Sequence, residues 1–196
     1  VATALASCLA GHLVVSIAAG GRVADLARWL GGHTRIVRAM PNTPALVQAG
    51  IAGLYAPPGV VQDARSQAEA VLRAVGGVVW VEDETQLDAV TAVSGSGPAY
   101  VFYFIESLEA AALAQGLPPA TARQLALQTF FGAAKLALES GEEPAVLRQR
   151  VTSKGGTTER GLAALDAAAV KLAIGQAVEA ASRRSAELGD ELGRLA

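Results

Sequence analysis

The chain of 196 residues has one cysteine, one methionine, two histidines and few aromatic residues, which make up 5% of it. With Cys8 as the single cysteine, an internal disulfide and a cluster of cysteine metal ligands are both excluded for this chain. An apolar-flanked cysteine is more often a small hydrophobic residue than a nucleophile. His12 and His33 lack cysteine or carboxylate neighbours at ligand spacing, so we expect no metal site.

The sequence also lacks an excess of charge of either sign. Its 16 basic residues stand against 18 acidic ones, the net charge is −2, and the basic residues form no run. We therefore expect neither nucleic acid nor a membrane surface as a partner. The longest uncharged stretch, residues 89–105, is too short and too broken to span a bilayer. No signal peptide is recognisable, and we expect a cytoplasmic protein.

The first half of the chain contains a regular alternation of apolar runs and helical patterns. Strands are predicted at residues 11–17, 35–40, 51–55 and 78–81. Helices are predicted at residues 2–9, 22–30 and 61–75. Near-continuous apolar strands separated by helices indicate a covered, largely parallel sheet. Residues 1–84 are therefore predicted to have α/β architecture.

The second half, residues 85–196, contains helical patterns only. Helices are predicted at residues 98–115, 120–139, 144–151 and 161–188, with glycine and proline between them. The segment 126–138 is apolar around most of its circumference, so its helix must be buried on nearly all sides. A second subunit would cover it, and we expect a homodimer through this half.

Two loops of the first half are candidate ligand contacts. Residues 14–20 end a strand with small residues, and ligands of open α/β sheets bind at the carboxyl ends of strands. The alternative is an ordinary turn that needs Gly20 and Gly21 for its geometry. In the second loop, Pro41 and Pro44 stiffen the chain around Asn42, whose amide can donate and accept hydrogen bonds. The alternative is an Asx-turn, in which Asn42 bonds its own backbone.

The third candidate is the loop Val151–Thr158, which precedes the last long helical pattern. Its two glycines allow a ligand to approach the backbone, and the amides that open a helix bind carboxylates or phosphates. Three hydroxyl residues and Lys154 surround the glycines. Ordinary capping by one threonine is the alternative. Since a cap needs only one hydroxyl, the pattern favours a site for a small anion.

With these segments identified, the chain resembles the pyrroline-5-carboxylate reductases, the enzymes of the last step of proline biosynthesis. The resemblance covers essentially the whole chain, and five motifs carry it in order. They are Val15-Ser-Ile-Ala-Ala-Gly20, Arg38-Ala-Met-Pro-Asn-Thr-Pro44, Asp88-Ala-Val-Thr-Ala-Val-Ser-Gly-Ser-Gly-Pro-Ala-Tyr100, Gly132-Ala-Ala-Lys135 and Val151-Thr-Ser-Lys-Gly-Gly-Thr-Thr158.

The resemblance implies a fold and a reaction. The fold is α/β Rossmann-type over residues 1–84, with its N-terminal strands missing, followed by an all-α helical dimerisation domain over residues 85–196. The reaction is hydride transfer from NADPH or NADH to the imine carbon of 1-pyrroline-5-carboxylate, which gives L-proline. The family also implies a homodimer that can assemble further into a decamer.

The resemblance assigns site residues by their motifs. Ile17, Ala18, Ala19 and Asn42 are expected to bind the cofactor. The substrate is expected to contact Glu84, Ser153, Gly155, Gly156, Thr157 and Thr158. Of these, Thr158 is expected to be catalytic, with its hydroxyl near the ring nitrogen, and Glu84 is expected near the ring nitrogen of the product.

The sequence departs from the family in two places. The Gly-x-Gly-x-x-Gly turn that grips the cofactor pyrophosphate does not occur in it, so we expect that roughly the first third of a reductase precedes this chain. Lys154 stands where the family often has proline. Two other functions stay open: a non-catalytic dimerising fragment that binds a proline-like carboxylate, and a related imine or keto-acid reductase.

Overall fold

A computed structural model describes residues 2–194 of the chain, with side chains from residue 4 onwards. These residues form two compact units. Unit 1 comprises residues 2–98 and 176–194, and unit 2 comprises residues 99–175. The predicted domain boundary between residues 84 and 85 stays a prediction.

Unit 1 contains a sheet with helices on both faces. Its strands are β1 Val14–Ser16, β2 Ile36–Met40, β3 Gly50–Tyr55 and β4 Gly76–Trp80. Its helices are α1 Ala2–Leu5, α2 Val23–Trp29, α3 Gln62–Arg73 and α4 Gln86–Val90, joined by the C-terminal part of the last helix. Short 3₁₀ turns cover Ala6–Cys8 and Thr43–Val47, and a π-helical turn covers Thr91–Gly95.

The sheet has the order β1-β2-β3-β4 and is mixed. The pairs β1–β2 and β3–β4 are parallel, each joined by a crossover helix, whereas β2 and β3 are antiparallel. This antiparallel pair differs from the largely parallel sheet that was predicted. The connection from β2 to β3 spans residues 41–49, which is too short for the crossover that a parallel pair needs.

Alternation along β2 divides the core of unit 1 into two layers. Val37 and Ala39 pack with residues of α3, while Ile36 packs with Leu26 and Leu30 beside α2. Side chains two residues apart share a face of a strand, so Arg38 lies on the same face as Ile36, the face that α2 covers. This placement buries a guanidinium group next to the start of α2.

Unit 2 consists of helices. They are α5 Gly97–Ala114, α6 Pro119–Ser140, α7 Pro144–Arg150, α8 Thr157–Ala167 and the first residues of α9 Val170–Gly193. The single helix predicted over residues 161–188 is wrong, because the chain breaks between α8 and α9 at Ala169, whose φ is 53°. Alanine favours helix and gives no signal of a break, so the sequence pattern predicted one continuous helix across this position.

The predicted fold class, an α/β first part followed by helices, is confirmed. Prolines open α5, α6 and α7 within their first two positions, where the missing N–H costs nothing. Among the described residues, no helix taken singly is long and apolar enough to cross a membrane; α8 and α9, a bent pair, meet that criterion only together and only by length and composition.

Candidate functional site

The loop after β1 is the first part of the site. Ile17, Ala18 and Ala19 follow the strand and are exposed, with 63% of Ile17 open to solvent. The Ala18 N–H donates to Ser16 Oγ at 3.4 Å, and the Gly21 N–H donates to the Ala18 carbonyl at 3.3 Å. The loop is therefore a compact turn whose outer surface consists of small or apolar groups.

Gly20 lets this turn approach the C-terminal part of α9. Its φ is +74°, and a Cβ atom there would lie 3.1 Å from the backbone N of Gly189 and 3.1 Å from the carbonyl carbon of Leu188. Both the left-handed conformation and the backbone contact require glycine. The turn geometry and a ligand contact are compatible here, because the glycine faces α9 while the residues before it are exposed.

Asn42 holds the loop after β2. Its Oδ1 accepts a hydrogen bond from the Ile51 N–H at 2.9 Å, which joins the loop to the first residues of β3. This side-chain bond reaches nine residues along the chain, so it is not the local Asx-turn considered as the alternative. With the oxygen engaged, the NH₂ group is the end of the amide that can donate to a ligand.

Asn42 and the loop 17–19 lie at one edge of the sheet. β1 and β2 are parallel, with Ser16 opposite Arg38, and both run towards this edge. A planar ligand with hydrogen-bonding groups fits such an edge, which offers small exposed residues from one strand and an amide donor from the next. The residues present therefore fit a nicotinamide cofactor.

Glu84 connects two elements of unit 1. Its Oε1 accepts a hydrogen bond from the Val23 N–H at 2.7 Å and another from Arg38 Nη1 at 2.9 Å. The side chains of Arg38 and Glu84 are 9% and 24% exposed, so this ion pair is largely shielded from water. A small cleft of about 50 Å³ lies beside the pair, bordered also by Gly20 and Gly189.

The residue before Glu84 stabilises the loop that carries it. Asp83 Oδ1 accepts hydrogen bonds from the Thr85 N–H and from Thr85 Oγ1, each at 2.8 Å. These two bonds to the Thr85 backbone and hydroxyl lower the pKa of Asp83 below its ordinary value. The turn between β4 and α4 is therefore fixed by its own side chains.

The loop 153–158 lies in unit 2, at the start of α8. The Gly156 N–H donates to the Ser153 carbonyl at 3.0 Å, and Gly155 has φ +74°. Ser153, Gly155, Thr157 and Thr158 are exposed. The helix begins at Thr157, so its opening amides and two threonine hydroxyls share one exposed end, which suits a carboxylate ligand.

Glu159 already supplies a carboxylate to this end of α8. Its Oε2 accepts a hydrogen bond from the Gly155 N–H at 2.8 Å. The contact is similar to the glutamate half of a capping box, but the donor is Gly155, the residue before the N-cap Gly156. A glutamate in the first turn of the helix is the signal in the sequence that could have indicated such a contact.

The structure brings some predicted residues together. Ile17, Ala18, Ala19, Asn42 and Glu84 all lie in unit 1, so Glu84, predicted for the substrate, belongs to the same unit as the predicted cofactor residues. The loop 153–158 lies in unit 2. Sequence reasoning missed Arg38 as a partner of Glu84, since 46 residues separate the two in the chain.

Comparisons with known proteins agree on one family. A family model described as pyrroline-5-carboxylate reductase dimerisation matches residues 84–188. The pyrroline-5-carboxylate reductase of Pseudomonas aeruginosa is 50% identical over 183 residues, which are 93% of this chain and 67% of that protein. The reductase of Synechocystis is 49% identical over 177 residues, 90% of this chain and 66% of that protein. The chain thus spans about two thirds of the length of these curated relatives.

Solved structures of the same kind are similar in fold. A pyrroline-5-carboxylate reductase from Coxiella burnetii has a TM-score of 0.91 and 44% identity, covering 95% of this chain and 70% of that one. A pyrroline carboxylate reductase from Plasmodium falciparum, crystallised with NADP bound, has a TM-score of 0.87 and 32% identity, covering 96% of this chain and 76% of that one.

Proposed function

This chain belongs to the pyrroline-5-carboxylate reductase family, and from that premise we propose that its protein reduces 1-pyrroline-5-carboxylate to L-proline. The observation that carries the proposal is the 50% identity to the Pseudomonas aeruginosa reductase over 93% of the chain. In the reaction a hydride adds to the imine carbon while the ring nitrogen gains a proton.

The residues at the sheet edge are proposed to bind the cofactor, NADP or NAD. When bound, the reduced nicotinamide supplies the hydride. Ile17, Ala18 and Ala19 would lie along it, and the Asn42 NH₂ group would donate a hydrogen bond to it. The NADP in the Plasmodium falciparum structure supports NADP as a cofactor of the family.

The start of α8 is proposed to bind the substrate carboxylate. Ser153 shapes the loop, and Gly155, Gly156 and Thr157 would contribute amides and a hydroxyl. Thr158 would place its hydroxyl near the ring nitrogen, where a hydrogen bond could steady the imine as the hydride arrives. Glu84 is predicted near the ring nitrogen of the product.

The experiment that tests the function is oxidation of NADPH and NADH by the protein expressed from its natural start, with and without pyrroline-5-carboxylate. We expect rapid oxidation only when the imine is present. In Thr158→Ala, kcat/KM for the imine is expected to fall by about a hundredfold, the low end of the range for a group that acts on the reacting proton. Thr152→Ala is the matched control, because the Thr152 hydroxyl donates to the Arg148 carbonyl instead.

The outcomes separate the alternatives. A folded protein that binds NADPH but oxidises it only with another imine or keto acid would be a related reductase. A folded protein that binds proline but neither cofactor would be a non-catalytic dimerising module. Unchanged turnover and KM in Thr158→Ala would remove the role proposed for that hydroxyl.

We also propose a homodimer formed through unit 2. Within residues 99–175, all described, only Ala122 and Ala126 are fully buried, while Phe131 and Leu138 on α6 are 62% and 85% exposed. Apolar surface of this extent on a helix is typical of an interface. Assembly to a decamer and a cytoplasmic location are proposed from the family alone.

Light scattering after gel filtration tests the assembly. We expect the mass of a dimer or of a multiple of it for the natural protein. Phe131→Asp is expected to reduce this mass, because a charge at an apolar interface is costly to bury. Val71→Asp on α3 of unit 1 is the matched control, since Val71 is 65% exposed and the substitution is the same. An unchanged mass in Phe131→Asp would place the interface elsewhere.

A further inference from the structure

The ion pair between Arg38 and Glu84 has no role in the function proposed above beyond the predicted contact of Glu84 with the product. We propose that this pair is a positioning device, which holds the loop 17–21 against the end of β2 and thereby sets the affinity for the nicotinamide cofactor. The inference rests on the proposed function for the identity of the ligand.

Arg38 needs a partner where it lies. It is 8% exposed and lies on the face of β2 that α2 covers, the same face as the buried Ile36. A guanidinium group buried there is strongly unfavourable unless a carboxylate compensates it. Glu84 provides that charge at 2.9 Å.

Glu84 uses the same oxygen to hold the start of α2. The Val23 N–H, at the first position of the helix, donates to Oε1 at 2.7 Å. Arg22, the residue before the helix, directs its own side chain to Asp190 at 2.7 Å. A helix of seven residues is too short to be stable by itself, so its start depends on this contact from outside.

Three contacts link the two ends of the loop into a closed ring of residues, from Ser16 through Arg38 and Glu84 to Val23. Ser16 pairs with Arg38 across the sheet, Arg38 binds Glu84, and Glu84 binds Val23. The chain from Val23 back to Ser16 is the loop itself, which carries the predicted cofactor residues 17–19. The ring therefore fixes both ends of a segment whose middle is exposed.

The same ring fixes the second cofactor contact. β2 continues from Arg38 to Met40, and Asn42 follows two residues later. The pairing of β1 with β2 sets the spacing between loop 17–19 and Asn42, and the ion pair ties the far end of the loop, at Val23, to the same strand. Preorganised contacts bind a ligand more tightly because less freedom is lost on binding. Loss of the Glu84 oxygen should therefore weaken cofactor binding.

The test compares Glu84→Ala with Glu84→Gln in the protein expressed from its natural start. Binding of NADPH is followed by its fluorescence, and hydrogen exchange of residues 17–23 is measured without any ligand. We expect Glu84→Ala to raise the Kd for NADPH about tenfold, because a loop no longer held by the two hydrogen bonds of Glu84 must be ordered when the cofactor binds. It should also speed hydrogen exchange in the loop.

Glu84→Gln keeps an oxygen that can accept from the Val23 N–H, so its Kd is expected within about threefold of the natural value. Arg38→Met removes the partner of the Glu84 carboxylate. It should raise the Kd for NADPH and speed exchange in the loop as Glu84→Ala does, while the KM for the imine changes by less than about twofold, because Arg38 is no predicted substrate contact. It also replaces Glu84→Ala in the test if that variant does not fold. Glu69→Ala is the control. Glu69 also accepts hydrogen bonds from two side chains of unit 1, Arg73 and Trp80, and its removal should change neither readout.

Two results would overturn the inference. A raised KM for the imine in both Glu84 variants, with Kd and exchange unchanged, would leave Glu84 with its proposed substrate contact and no positioning role. A lower melting temperature without change in Kd or loop exchange would make the pair purely structural. If the natural protein fails to reduce the imine, the proposed function fails, but loop exchange still decides whether the pair positions the loop.

Discussion

The starts of α2 and α8 have similar backbone conformations, but different parts of the chain stabilise them. Each follows a loop with a glycine at φ +74°, Gly20 in one case and Gly155 in the other, and each is bonded to a glutamate. At α2 the glutamate is Glu84, 61 residues away and paired with a buried arginine. At α8 it is Glu159, from the first turn of the helix itself and exposed.

The comparison shows that one local geometry can depend on the whole fold or on a few neighbours. The loop before α2 packs against α9 and is tied to β2, so it exists only when unit 1 is assembled. The loop before α8 is held by two local hydrogen bonds, from Gly156 to the Ser153 carbonyl and from Gly155 to the Glu159 carboxylate. A loop of the second kind can adjust to a ligand without disturbing the core, whereas one of the first kind is fixed in advance.

The largest difference between the two regions is expected on removal of the glutamates. Glu84→Ala leaves Arg38 buried without its partner and should lower the free energy of unfolding by about 3 kcal/mol, the lower end of the range for a broken buried pair. Glu159→Ala removes an exposed capping contact and should lower it by about 0.5 kcal/mol. Urea denaturation of both variants measures the difference. Equal losses would show that α2 does not depend on the ion pair.

The next largest difference is expected between alanine substitutions of Gly20 and Gly155. In Gly155→Ala a Cβ would meet no atom within 4 Å, so only the left-handed backbone costs energy, about 1 kcal/mol. In Gly20→Ala the Cβ would also press on the backbone of α9, and a total of about 3 kcal/mol is expected. Thermal unfolding of the two variants gives the comparison. A smaller loss for Gly20→Ala than for Gly155→Ala would contradict the close packing of α9.

A smaller difference in stability is expected between removal of a hydroxyl that bonds across the fold and removal of one that bonds locally. Ser185 on α9 is 4% exposed and donates to Asp88 Oδ1 at 2.6 Å, a contact between residues 97 apart in the chain. Ser185→Ala should cost about 1.5 kcal/mol, because it leaves a carboxylate oxygen short of a partner. Thr152→Ala, which removes a bond to the carbonyl four residues earlier, should cost less than about 0.5 kcal/mol. Chemical denaturation measures both losses, and an equal or smaller loss for Ser185→Ala than for Thr152→Ala would contradict the packing of α9 on α4.

The smallest expected effect is the pH dependence of stability that Asp83 causes. Hydrogen bonds from Thr85 lower the pKa of Asp83 below its ordinary value of 3.8. Because the folded pKa lies below the unfolded one, the stabilisation is present above the unfolded value and is lost as the pH falls through the folded value. Asp83→Asn should therefore be less stable than the natural protein at about pH 6, and the gap should close as the pH falls below about 4. Urea midpoints across this range measure it, and a constant gap would contradict the pKa shift.

Much of the fold could be predicted from the sequence, because the signals for it are local. Apolar runs identified all four strands, and the prolines at the starts of α5, α6 and α7 placed these helices within one or two residues. The position of Asn42 after β2 followed from the same patterns. Its engagement with Ile51 did not, since that bond depends on how β3 folds back.

What the sequence determined by itself is the type and order of the elements and the chemistry of the loops between them. The tertiary structure alone decided that the C-terminal part of α9 belongs with the sheet, that the chain breaks at Ala169, and that Glu84 meets Arg38. The physical reason is distance along the chain. Periodicity and turn residues act over a few positions, whereas the energy of a buried ion pair depends on where folding places two groups 46 residues apart.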